Sequence, residues 1–282
     1  MSPLATRVAT AAVLVPVVLA ALFVLPPAGW AAATLAAIGL AAVEWARLAG
    51  VGRRGTLVYA AVIVAAGALL LVAPQAGFSR GWPGAVVTAV CGVATAFWLA
   101  VGIAWVVRRW PTRPPAAMLA VGAIVLAGAW VALVELQARS PWHVLAAMAI
   151  VWIADTAAYF AGRAFGRRKL APLVSPGKTW EGVFGALAAV AAYAFALAPA
   201  ARAAGYDGPL SAFALAGWVA LAVALAGLSV VGDLFESWLK RCAGVKDSGN
   251  ALPGHGGVLD RTDALLAAMP PAALAAQALL RG

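Results

Sequence analysis

Apolar residues along this chain gather into runs near twenty residues long, separated by short polar or Pro/Gly-rich breaks such as Pro26-Pro27-Ala28-Gly29. Nine runs stand out, at about 6–25, 29–48, 56–74, 83–107, 116–136, 142–161, 180–201, 210–234 and 258–280. A helix of about 20 residues crosses a hydrocarbon layer of about 30 Å. The pattern therefore predicts an all-α fold, a polytopic transmembrane bundle of about nine spans. Only two breaks are long and polar, Gly162–Thr179 and Lys240–Gly257. The plainer stretch 1–140 reads as transmembrane scaffold, with room for a homodimer interface, and 141–282 as the region that carries chemistry.

Composition agrees: 65% of the 282 residues are hydrophobic and 11% charged, against about 25% charged in soluble domains. Mean hydropathy is +0.95. The first run has the look of a secretory signal, but eight apolar runs follow it, which favours an uncleaved span. The net charge of +10 invites a nucleic-acid reading, which its distribution removes. With the N-terminus in the cytoplasm and nine alternating spans, sixteen of the twenty Lys and Arg fall on the cytoplasmic side. These are Arg7, Arg47, Arg53, Arg54, Arg108, Arg109, Arg113, Arg163, Arg167, Arg168, Lys169, Lys178, Lys240, Arg241, Lys246 and Arg261; only Arg80, Arg139, Arg202 and Arg281 fall outside. That is the positive-inside bias. It places the C-terminus on the opposite side, and the surplus can also attract anionic headgroups. The expected setting is the cytoplasmic (inner) membrane, both polar loops facing the cytoplasm.

Acids sit inside or at the ends of the later runs: Asp155, Glu181, Asp233, Glu236, Asp260 and Asp263. Ionisable groups in a bilayer are expensive and functional by default. Asp233, Glu236, Ser237 and Lys240 are spaced to share one helical face, as are Asp260 and Asp263. If those two helix ends meet, three carboxylates converge, and hard oxygen ligands of that kind suit magnesium. The alternative is that Lys240, Lys246 and Arg261 neutralise the acids as structural ion pairs. Gly254, Gly256 and Gly257 around His255 form a turn whose N–H groups suit phosphate oxygens. His255 itself is open to several roles: phosphate donor, acid or loop brace. Gly177-Lys178-Thr179 resembles the end of a phosphate-binding Walker loop, but its first glycine position is Pro172; a helix-start anion site remains. Glu44 and Glu135 read as snorkelling or internally paired carboxylates. Cys91 and Cys242 offer neither a disulfide framework nor metal spacing, and His143 reads as interfacial.

The stretch Ser237 to Asp263 resembles the signature of the phosphatidate cytidylyltransferase (CDP-diacylglycerol synthase) family. The matching positions run Ser-x-apolar-Lys-Arg, then Lys-Asp, then Leu-Pro-x-His-Gly-Gly-apolar-x-Asp-Arg-x-Asp. Asp155 to Tyr159, Gly162-Arg163, Phe165-Gly166, Lys169 to Pro172 and Ser175 to Gly182 resemble the family's second motif, with Ala157 where glycine is common. Detailed similarity covers 150–182 and 231–263. The resemblance implies a magnesium-dependent reaction of CTP with phosphatidic acid, giving CDP-diacylglycerol and pyrophosphate. For that reaction Asp233 and Asp260 are expected to ligate magnesium, with Asp263 a ligand or close support, and there is room for a second cation. Lys240, Arg241, Lys246 and Arg261 would hold the phosphates. Ser175, Lys178, Thr179, Asp247, His255, Gly256 and Gly257 would bind substrate. The competing readings are a related CTP-using lipid enzyme, such as a polyprenol kinase, and, remotely, a transporter. Transport fits poorly, because repeated halves with interrupted mid-membrane helices are not what the polar pattern offers.

Overall fold

The computed structural model describes residues 3–72, 81–203 and 211–279. Arg80, Arg281 and the expected span ends at 74, 210 and 280 lie outside the described residues, as do the side chains of Arg7 and Arg202. The helices are α1 (Pro3–Val24), α2 (Pro27–Leu48), α3 (Arg53–Val72), α4 (Gly84–Ala96), α5 (Ile103–Arg108), α6 (Pro115–Arg139), α7 (Pro141–Phe165), α8 (Trp180–Ala203), α9 (Ala212–Cys242) and α10 (Leu259–Leu279). A π-helical turn, Phe97–Gly102, joins α4 to α5 as one rod. The nine expected runs thus correspond to nine rods among the described residues. Seven are long and apolar enough to cross a membrane: α2, α3, α4–α5, α6, α7, α8 and α9. The first and last rods are not among the seven; α10 opens on Asp260, Arg261 and Asp263 and carries Pro270-Pro271 in its middle.

One element departs from the helical expectation. The first polar loop folds into an antiparallel hairpin of β1 (Lys169–Ala171) and β2 (Ser175–Thr179), paired Lys169 to Thr179 and Ala171 to Ser175. Glu181 closes its base, accepting from the backbone N–H of Arg167 (3.1 Å) and Arg168 (3.2 Å) and from the Arg168 Nε (3.2 Å).

Helix packing in a membrane depends on close approach and on satisfied backbone groups rather than on a difference in polarity. Tryptophans supply much of both here. Pro270 has no N–H to give the Leu266 carbonyl one turn back, and the Trp98 Nε1–H of the π-helical turn takes that carbonyl at 2.9 Å. Trp45 Nε1–H donates to the Met118 carbonyl (2.8 Å) and Tyr59 Oη–H to Leu119 (3.0 Å). Both cross over Gly122, where a Cβ would stand 2.4 Å from the Trp45 Nε1. Phe235 on α9 is ringed by Trp45, Phe97, Trp98 and Trp105, with centroids 5.4–6.2 Å away. That cage fixes the rotation of α9 about its axis. The polar residues flanking Phe235, Asp233 and Glu236, are thereby aimed toward α10 and the hairpin.

Candidate active site

Asp233, Ser237, Glu236 and Lys240 form two ladders up the face of α9. Ser237 Oγ–H donates to Asp233 Oδ1 at 3.2 Å, and the Lys240 ammonium pairs with the Glu236 carboxylate one turn below. The face meets α10 because Gly232 allows it: a Cβ there would lie 2.5 Å from the Asp263 carbonyl oxygen. This close approach brings Asp263 within electrostatic reach of Asp233, Lys178 and Lys240. Asp155, exposed on spanning helix α7, is likewise within reach of Asp233 and Lys178. The two polar loops meet at this rim, as the alternation of spans requires. From the hairpin, Lys178 Nζ donates to Asp233 Oδ2 at 2.5 Å. At its turn, the Val174 carbonyl accepts from Arg241 Nε at 3.4 Å.

Asp260 is the most densely held carboxylate. Its Oδ1 accepts from Lys240 Nζ at 2.6 Å, and its Oδ2 accepts from the Ser248 N–H (2.9 Å), the Ser248 Oγ–H (3.0 Å) and the Gly257 N–H (2.8 Å). The glycine turn is therefore built around carboxylates. A Cβ on Gly256, which sits at φ +82°, would stand 2.7 Å from Asp260 Oδ2. The Gly257 N–H, expected to face a phosphate, is already spent on Asp260.

The remaining expected residues divide by environment. Thr179 is buried and caps α8, its Oγ1 accepting from the Gly182 N–H at 3.1 Å; this is a helix-start role. Ser175 sits half-buried on β2, and Lys246 and Asp247 are exposed without an ion pair among the described residues. Arg261 is exposed, and its Nε–H donates to the His255 carbonyl at 2.9 Å. His255 also donates its N–H to the Leu252 carbonyl, so its backbone braces the loop, while its Nδ1 is enclosed and has no hydrogen-bond partner among the described residues.

Lysines, then, pair with two of the three expected metal ligands, Asp233 and Asp260. Among the described residues no group of three acids, histidines or cysteines is arranged to hold an ion. The donor chemistry nonetheless suits a hard divalent cation. Five carboxyl groups (Asp155, Asp233, Glu236, Asp260 and Asp263) gather with two ammonium groups (Lys178 and Lys240), a set of hard oxygen donors of the kind magnesium takes.

One residue was missed. Glu44 on α2, read as a lone acid near a span end, is 3% exposed and reaches into the 248–259 segment. No local pattern marks it, because its partners lie more than 200 positions away in the chain. Glu135, by contrast, is internally paired as expected, with Arg139 Nε at 2.8 Å.

Spanning helices that deliver a carboxylate–lysine cluster to one rim define a polytopic membrane enzyme. Residues 5–279 match the model of the cytidylyltransferase family, and the chain belongs to that family. A Pseudomonas aeruginosa protein named phosphatidate cytidylyltransferase is 41% identical over 281 residues, covering 94% of this chain and 93% of that one. Proteins of the same name from Haemophilus influenzae (47% identical, 48% of this chain and 47% of that one) and Brucella suis (51% identical, 43% and 41%) match shorter stretches.

Proposed function

We propose that this protein is a CTP:phosphatidate cytidylyltransferase, forming CDP-diacylglycerol and pyrophosphate from CTP and phosphatidic acid in phospholipid biosynthesis. The observation that carries the reading is the Lys240–Asp260–Ser248–Gly257 cluster, built from the signature stretch, in a chain 41% identical along nearly its whole length to a relative of that name. An oxygen of the lipid phosphate attacks the α-phosphorus of CTP. The new P–O bond forms as the bond to the bridging α–β oxygen breaks, and that oxygen leaves with pyrophosphate. A phosphomonoester's second pKa is about 6, so near neutral pH the nucleophile is largely ionised without a strong base. What the protein must supply is alignment and charge.

Its cations are suited to that task. Lys178 pairs with Asp233 and Lys240 with Glu236 and Asp260, and a triphosphate would offer both ammonium groups an alternative partner. Arg241, Lys246 and Arg261 lie exposed around the same rim, where they would meet the incoming nucleotide and the lipid phosphate. Asp233 and Asp260, with Asp263 beside them, would hold magnesium, which when bound neutralises phosphate oxygens and polarises the α-phosphorus; a second cation would have the remaining carboxyl groups to draw on. In the orientation that the Lys and Arg distribution favours, this rim lies at the inner face of the cytoplasmic membrane, where CTP would arrive from solution and the lipid from the bilayer.

Purified protein given phosphatidic acid, magnesium and CTP labelled at either the α- or the γ-phosphorus tests the reading. The α-label is expected in the extracted lipid and the γ-label in pyrophosphate. Transfer of γ-label to an isoprenoid alcohol would make the protein a kinase instead. Lys178→Ala is expected to lower kcat/KM for CTP by about 10- to 100-fold, the worth of a charge-assisted hydrogen bond. Unchanged kinetics would return the hairpin to a purely structural role.

A further inference from the structure

The segment between α9 and α10 is moulded around two carboxylates, of which Asp260 is only one. Glu44 is the other, and it comes from α2, in the half of the chain expected to be scaffold. Its Oε1 accepts the Val258 N–H at 3.0 Å; its Oε2 accepts the Leu259 N–H at 2.7 Å and the Ser248 Oγ–H at 3.1 Å. No ion pair to Glu44 exists among the described residues.

The fit is close. A Cβ on Gly257 would stand 2.5 Å from both Glu44 carboxylate oxygens, and one on Gly249 would stand 2.5 Å from Oε1. Val258 and Leu259 lie at the start of α10, where backbone N–H groups have no intrahelical acceptor and a negative charge is favourable. Glu44 therefore caps α10 from another helix. The two carboxylates also interleave: Ser248 faces Glu44 and Asp260 with a single hydroxyl proton, and Gly257 gives its N–H to Asp260 while its α-carbon rests on Glu44.

We infer that Glu44 is a positioning residue for nucleotidyl transfer, setting the place of Asp260 through Ser248 and the first turn of α10. The inference rests on the proposed reaction, in which Asp260 works on the phosphates. Asp260 takes three of its four hydrogen bonds from Ser248 and Gly257, both packed against Glu44. Displacement of a charged group by about 1 Å is enough to lose about 100-fold in rate. An anchor that served folding alone would change how much protein folds and leave the turnover of each folded molecule intact.

The test uses the full chain, purified in detergent, as Glu44→Gln, Ser248→Ala and the double variant. Glutamine keeps the shape but must turn its NH2 toward N–H or O–H donors on one side. The kcat of Glu44→Gln is expected to fall by about 100-fold with the KM for CTP within about threefold. Ser248→Ala should lose rate through the same route, so the double variant falls well short of the product of the two single losses. Hydrogen exchange at residues 248–260 should quicken in Glu44→Gln, with α7 and α8 unchanged. A kcat per folded molecule within twofold of the parent, or losses that simply multiply, would overturn the inference. If Glu44→Gln does not fold, Ser248→Ala decides it: undiminished kcat overturns it and a drop at unchanged KM supports it. Should the parent itself make no CDP-lipid, the reaction assignment fails, while hydrogen exchange still shows whether Glu44 holds Asp260's donors; unchanged exchange there refutes that too.

Discussion

Asp260→Asn is expected to give a folded, membrane-inserted protein whose CTP-dependent formation of CDP-lipid is lower by at least about 100-fold, the scale of losing a main charge-stabilising group. Aspartate here uses both oxygens, one toward the Lys240 ammonium and one toward three N–H and O–H donors. Asparagine has one oxygen to offer. Set toward Ser248 and Gly257, it turns its NH2 on the Lys240 ammonium; reversed, it turns its NH2 on three donors. Either orientation also removes the negative charge that a cation at this rim would meet. The shape is kept, so the loss should appear in kcat rather than in yield. The check is the α-labelled CTP assay on protein that elutes as a single species. Turnover close to the parent's would remove Asp260 from the reacting centre.

The parts of this site that could be read from sequence are those governed by helical periodicity and by counting spans. Asp233, Glu236, Ser237 and Lys240 were legible as one face because i, i+3, i+4 and i+7 is a property of the helix itself. Placing the two polar loops on one side needed only alternation, and the hydrogen bond from Arg241 to the Val174 carbonyl joins them. The hairpin was not legible: Ser-Pro-Gly-Lys-Thr has two strand-poor residues in five, and its geometry is held from outside by Glu181. Gly257 was legible as a position needing no side chain, but its neighbours were not. The space it leaves is filled by Glu44, Ser248 and Asp260, and nothing near 257 in the chain announces a carboxylate arriving from residue 44. The pairing of each acid with a particular lysine was equally hidden, because it depends on the depth at which α9 meets α10 across Gly232.

That pairing leads to the largest effect expected on stability. Lys240 is 13% exposed and stands between Glu236 and Asp260, side chains 3% and 4% exposed, one ammonium serving two carboxylates. Lys240→Met keeps most of the aliphatic stem and removes the charge. The two acids are then left facing each other with too little positive charge and little water, and breaking such a buried pair destabilises by about 3–5 kcal/mol. A lower melting temperature in detergent and a lower yield from membranes are the expected results. The double variant Lys240→Met/Glu236→Gln separates the two duties of the lysine. Neutralising Glu236 removes one stranded charge and should restore part of the melting temperature, whereas activity should stay low because Asp260 still lacks its partner and the phosphates lack a cation. Melting of Lys240→Met at the parent temperature would mean that water reaches these carboxylates freely. In that case the rim is an open, solvated basin whose ion pairs add little to stability.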